Sequence, residues 1–78
     1  MPHVIVKMYP GRTEEQKIRL AHAIAESLVK IVQCDEEAVS VAVEEIPSEK
    51  WPGTVYKPDI IDKEETLYIK PGYNPFKL

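Results

Sequence analysis

The sequence has little of three things: cysteine, long apolar runs and basic residues. Cys34 is the only cysteine, so an internal disulfide is excluded and a reducing, cytoplasmic environment is expected. No apolar run approaches the roughly 18 residues of a membrane span, and no export signal is visible. The 10 Lys and Arg residues stand against 13 Asp and Glu residues, which is unfavourable for phosphate contacts. We therefore expect a protein that binds neither membrane nor nucleic acid.

The chain is also short and poor in metal ligands. We expect a single domain, residues 1–78, and a chain of this size buries only about 60% of its unfolded surface. Self-association is a common way to stabilise so small a domain. His3, His22 and Cys34 are the only soft metal ligands, and their spacing matches no zinc pattern. Three scattered glycines give no phosphate-binding loop, so neither metal nor cofactor is predicted.

The first half of the sequence alternates strand and helix patterns. Residues 3–9 (HVIVKMY) are rich in β-branched residues and predict a strand. The TEEQ stretch at 13–16 matches a capping box and predicts a helix over residues 14–32. Residues 38–46 (AVSVAVEEI) predict a second strand. A strand, a long helix and a strand form a βαβ unit, whose two strands are expected to be parallel.

The predicted helix carries one apolar and one polar face. The apolar stripe expected to pack on the sheet consists of Ile18, Ala21, Ala25, Leu28 and Val32. The polar face consists of Glu15, Arg19, His22, Glu26 and Lys30. Two strands do not make a stable sheet by themselves, and both would have an unpaired edge. The pattern therefore favours assembly with another subunit.

The last third of the sequence is rich in proline, with five of the seven prolines after residue 46. We expect residues 47–58 to form a loop with one short helical turn at most. Residues 59–70 fit a short helix that ends before Pro71 and Gly72, although the TLYI stretch within them also fits a strand.

Pro2 stands directly behind Met1. Its small side chain favours removal of the methionine, which would expose a secondary amine at the amino terminus. An α-amino group titrates at about 7.7–8.0 in peptides. An apolar pocket and a nearby cation would lower that pKa towards neutrality, where a general base works best. Met-Pro is also a common start without a role, and Pro2 alone does not decide between the two.

The order of these features resembles the 4-oxalocrotonate tautomerase family over nearly the whole chain. The resemblance rests on the MP start, GRTEEQK at the helix start, and AVSVAVEEI followed by Trp51. PHxxxK, the tryptophan and KPGY near the end are similar to the longer, PptA-like bacterial branch. The resemblance implies an α+β, MIF-like β-α-β subunit with a C-terminal loop and short helix. Oligomerisation would complete its sheet, with a homodimer favoured over the hexamer of classical members.

The resemblance also implies a site and a reaction. Pro2 would be the general base, and then the acid, of a keto–enol isomerisation without cofactor or metal. Arg12 matches the arginine that binds the substrate carboxylate, and Trp51 matches an aromatic wall that excludes water. Ser40 stands where classical members have a second arginine. This departure implies a preference for monocarboxylate 2-keto acid enols of the phenylpyruvate type. A noncatalytic oligomeric module, or a sensor of small acids, is the alternative.

Overall fold

The structure, a computed structural model, describes residues 1–77. The chain divides into two compact units, Met1–Glu45 and a second unit that begins at Ile46. None of the helices in this described part of the chain is both long and apolar enough to cross a membrane.

The first unit is a βαβ unit made of β1 (His3–Met8), α1 (Glu14–Val32) and β2 (Ser40–Glu45). The two strands pair in parallel, with His3 opposite Ser40 at their shared beginning. The predicted parallel βαβ architecture is therefore confirmed. The second strand starts two residues later than predicted, because residues 36–38 form a tight helical turn before it.

Helix α1 has the predicted bounds because its start is fixed by local hydrogen bonds. The Gln16 backbone N–H donates to the Thr13 hydroxyl at 3.1 Å, and the Thr13 N–H donates to the Gln16 side chain at 2.9 Å. This reciprocal pair is the capping box that the TEEQ stretch predicted. The helix ends at Val32 and is capped by Gln33, which takes a left-handed conformation with φ of 61°.

One face of the sheet lies under α1, and Ala21, Ala25 and Leu28 of the predicted apolar stripe are half-buried. Val4 of β1 lines a cavity together with Ile24 and Leu28 of the helix. Ile18 and Val32, expected to pack on the sheet, are 55% and 56% exposed. The expectation was wrong for these two residues.

Lys17 stands beside Ile18 at the start of the helix. Its amine forms ion pairs with Glu14 at 2.6 Å and with Glu45, at the end of β2, at 3.5 Å. Lys17 therefore occupies the sheet-facing position, and its side chain is only 17% exposed. Because Lys17 precedes Ile18 by one helical position, the isoleucine turns outward.

The opposite face of the sheet is more open. Strand periodicity places His3, Ile5, Ser40 and Ala42 on this face, and Ile5 is 48% exposed.

The second unit is more helical than the sequence indicated. Single turns at Ser48–Lys50 and Glu64–Thr66 flank a π-helical segment over Pro52–Ile61. The prediction of a loop over 47–58 was therefore wrong, and the helix predicted over 59–70 is helical only at residues 59–61 and 64–66. Most of the helical structure lies in the earlier of these two stretches.

Two prolines explain why this segment is helical without being a regular α-helix. Pro52 stands at its first position, where a missing N–H costs no helical hydrogen bond. Pro58 lies inside, where in an α-helix its ring would clash with the carbonyl four residues earlier, and the backbone takes wider turns. The Asp62 N–H, for example, donates to the Lys57 carbonyl five residues earlier at 2.9 Å. Among residues 1–77, the buried hydrophobic side chains are Val55 and Tyr56, which both lie in this segment.

Candidate active site

Pro2 lies directly before β1 and is held there by its carbonyl group. The Ser40 backbone N–H donates to the Pro2 carbonyl oxygen at 3.2 Å. The proline nitrogen carries no amide hydrogen, so it donates nothing to the sheet. Pro2 is half-buried, whereas Met1 before it is fully exposed. The start of the sheet therefore fixes the backbone of Pro2 and leaves its nitrogen outside the hydrogen-bond ladder.

His3 is a polar neighbour of this position that no sequence motif predicted as a site residue. Its Nδ1 atom lies 2.6 Å from the Ser40 hydroxyl oxygen. When Nδ1 is unprotonated, the hydroxyl donates to the ring. When Nδ1 carries a proton, the ring donates, and the hydroxyl proton is available to a third group. The structure thus brings Pro2, His3 and Ser40 together at the beginning of the two strands.

Arg12 lies at the other end of β1, between Gly11 and the capping residue Thr13. Gly11 has φ of 123°, a conformation that glycine adopts without a steric penalty and that turns the chain from strand to helix. The Arg12 side chain is exposed and borders a cavity of about 210 Å³ that is also lined by Met8, Gln16, Lys17 and Leu20. A guanidinium beside the positive end of a helix suits a carboxylate ligand.

A single subunit does not bring Arg12 and Pro2 together. The two residues flank the six-residue strand β1 at opposite ends. At a rise of about 3.3 Å per residue, roughly 20 Å of strand separate them. That distance exceeds the reach of an arginine side chain. A site that uses both residues therefore needs two copies of the chain.

Trp51 belongs to the second unit and stands just before the π-helical segment. It is half-buried, and its indole Nε1 donates to the Tyr73 hydroxyl at 2.9 Å. Its assignment as an aromatic wall stays a prediction. Tyr73 is the tyrosine of the KPGY stretch, which contributed to the family resemblance but was not predicted as a site residue.

Two ionisable residues with shifted pKa values lie on α1. The hydrogen bond with Glu14 raises the pKa of Lys17 above its ordinary value. The hydrogen bond from Lys30, at 2.9 Å, lowers the pKa of Glu26. Within residues 1–77, no three His, Cys, Asp or Glu side chains are placed to hold a metal ion. The Lys30–Glu26 pair lies on the exposed surface of α1, whereas Lys17 pairs across to Glu45 of β2.

The parallel βαβ unit has the β-α-β fold of the 4-oxalocrotonate tautomerase homologues. Residues 2–53 match the family model described as tautomerase enzyme. A probable tautomerase from Xylella fastidiosa strain 9a5c is 44% identical over 73 residues, covering 94% of this chain and 89% of the relative. Tautomerase PptA from Cronobacter sakazakii strain ATCC BAA-894 is 38% identical over 74 residues, covering 94% and 97%. The chain belongs to the tautomerase family.

Solved structures agree with this assignment. YwhB, a homologue of 4-oxalocrotonate tautomerase, has a TM-score of 0.58 and 39% identity, covering 59% of this chain and 75% of its own. A heterohexameric 4-oxalocrotonate tautomerase from Chloroflexus aurantiacus J-10-fl has a TM-score of 0.63 and 27% identity, covering 65% and 82%. The resemblance to the 4-oxalocrotonate tautomerases and to PptA is confirmed, as is the β-α-β fold.

Proposed function

We propose that the protein is a cofactor-independent keto–enol tautomerase, an isomerase of the cytoplasm. Its general base is the secondary amine of Pro2, which removal of Met1 exposes. The placement of Pro2 carries this proposal, since the N–H of Ser40 fixes its carbonyl at 3.2 Å while its nitrogen stays outside the sheet. Membership of the tautomerase family supports the same reaction class.

In the proposed reaction the free amine of Pro2 takes a proton from the enol hydroxyl or from the carbon beside a carbonyl. The resulting ammonium returns a proton elsewhere on the conjugated system, so the protein ends in its starting state. No redox step occurs. The rigid strand behind Pro2 keeps the nitrogen in place for both transfers.

We propose that Arg12 binds the substrate carboxylate and is contributed by a neighbouring copy of the chain. About 20 Å of strand separate Arg12 from Pro2 within one subunit. A homodimer is the simplest assembly that supplies both residues to one site, and a hexamer would supply them equally well. The heterohexameric state of the Chloroflexus relative supports assembly in general.

The proposed substrates are monocarboxylate 2-keto acid enols of the phenylpyruvate type. Ser40 offers a neutral hydroxyl beside His3, without the fixed positive charge that a second carboxylate would require. Trp51 would provide an apolar wall for an aryl group. A dicarboxylate dienol should therefore have the lower kcat/KM.

Substitution of the base tests the proposed function. Ketonisation of an aryl enol would be followed with protein whose free Pro2 terminus is confirmed by mass spectrometry. Pro2→Ala keeps an amine but makes it primary and less constrained, and we expect kcat to fall by roughly 10²-fold or more. Protein that retains Met1 is the matched control, because its Pro2 nitrogen is an amide and it should be inactive.

The contrary result is equally clear. Wild-type protein with a verified free Pro2 and no ketonisation above the uncatalysed rate would favour the noncatalytic module or small-acid sensor. Equal rates for protein that retains Met1 and protein with a free Pro2 would exclude the Pro2 amine as the general base.

A further inference from the structure

Trp51 is hydrogen-bonded to a residue 22 positions later in the chain. The only donor of the indole ring, Nε1–H, lies 2.9 Å from the hydroxyl oxygen of Tyr73. Tyr73 stands in the segment after Pro71, beyond the last helical turn of the unit. The orientation of the indole ring is therefore linked to the carboxyl-terminal segment.

Tyr73 is itself held by a buried anchor. The Tyr56 hydroxyl donates to the Tyr73 carbonyl at 3.2 Å, and the two rings lie 5.4 Å apart with their planes tilted by 50°. Tyr56 also meets the ring of Phe76 edge-on at 5.8 Å. Since Tyr56 is only 7% exposed, it is a fixed anchor for the rings of Tyr73 and Phe76. A continuous set of contacts thus runs from Tyr56 through Tyr73 to Trp51.

We propose that Tyr73 is a positioning residue that fixes the plane of the Trp51 ring and thereby sets the preference for aryl substrates. The inference rests on the proposed function, in which Trp51 forms the wall for the substrate. A ring already held in its binding orientation loses little rotational freedom when an aryl group stacks against it. Aromatic pairs also depend on their relative geometry, so a loosened indole would favour an aryl over an alkyl group less strongly.

Tyr73→Phe tests the proposal, because it removes the hydroxyl and keeps the ring against Tyr56. Tyr68→Phe is the matched control, since Tyr68 is fully exposed. Trp51 is the only tryptophan, so its emission maximum and anisotropy report this position alone. We expect Tyr73→Phe to lower the anisotropy and to raise KM for phenylenolpyruvate roughly three- to ten-fold. In Tyr73→Phe, KM for the enol of 2-oxobutyrate should stay unchanged. In Tyr68→Phe, the Trp51 anisotropy and KM for phenylenolpyruvate should both stay unchanged.

Three results would overturn the positioning role. Unchanged Trp51 anisotropy in Tyr73→Phe would show that the hydrogen bond does not hold the ring. Altered anisotropy with an unchanged ratio of aryl to alkyl kcat/KM would show that ring orientation does not set the preference. An equal loss for both substrates would indicate a general effect on the fold.

A separate measurement distinguishes failure of this inference from failure of the proposed function. If wild-type protein with a free Pro2 is inactive, quenching of Trp51 emission by phenylpyruvate gives a dissociation constant without catalysis. Weaker phenylpyruvate binding in Tyr73→Phe than in Tyr68→Phe would support the positioning role while the tautomerase proposal fails. Equal binding, or none, would overturn the positioning role too.

Discussion

At the scale of single residues, Ser40 adds no positive charge to the start of the sheet. Its hydroxyl is neutral, and it shares a hydrogen bond with His3 at 2.6 Å. We predict that Ser40→Arg raises kcat/KM for a dicarboxylate dienol relative to a monocarboxylate enol by roughly ten-fold, because a guanidinium binds a second carboxylate through charged hydrogen bonds. Ser40→Gln is the control, as it is long and polar but uncharged. An equal gain in both variants would contradict a charge effect.

The residues of the candidate site differ in how far the sequence could predict them. The Thr13–Gln16 capping box depends on neighbouring positions, so the local sequence was sufficient to predict it. The role of Pro2 was inferred from the family resemblance and stays a prediction. The contact between His3 and Ser40 joins residues 37 positions apart and depends on the strand register. The predicted second strand began two residues too early, and no local pattern could pair these side chains.

At the scale of elements, Lys17 links the start of α1 to the end of β2. Its amine pairs with Glu14 at 2.6 Å and with Glu45 at 3.5 Å, and the hydrogen bond with Glu14 raises its pKa. The stability that this charge contributes is complete below the ordinary pKa of 10.5 and is lost as pH rises through the higher folded value. We predict that Lys17→Met lowers stability at neutral pH and removes this alkaline loss.

Urea unfolding between neutral pH and pH 11 checks the role of Lys17. The control is Lys63→Met, which removes one exposed lysine from the second unit. At high pH, the free energy of unfolding of Lys17→Met should approach the wild-type value. That of Lys63→Met should show no such convergence. If the two variants follow the same pH curve, the link between α1 and β2 does not contribute to stability.

The elements themselves were predictable where the chain has a regular period. The apolar and charged residues of α1 recur at helical spacing for 19 residues, and the strands alternate, so both patterns are strong. Pro52, Gly53 and Pro58 are typical loop residues, so the sequence predicted a loop where the structure has a helical segment between Pro52 and Ile61. Its buried side chains, Val55 and Tyr56, are too few to produce a periodic signal.

At the scale of the whole molecule, the sheet formed within residues 1–77 has two strands, and Ile5 on its open face is 48% exposed. A two-stranded sheet is marginal in water, and burial of this face against a second copy would stabilise it. We predict that the wild type is an oligomer by light scattering and that its unfolding midpoint rises with protein concentration. Ile5→Asp would place a charge in the contact, so it should give a monomer without that concentration dependence.

Ketonisation activity should depend on this assembly. Because Pro2 and Arg12 lie at opposite ends of β1, dissociation should separate the proposed base from the proposed carboxylate-binding residue. Ile5→Asp should therefore lose ketonisation together with association, although Pro2 and Arg12 remain unchanged. Ile69→Asp makes the same substitution at a residue outside the sheet that is 88% exposed. This variant should keep both association and ketonisation. An active wild-type monomer, or dissociation of both variants alike, would contradict assembly through this face of the sheet.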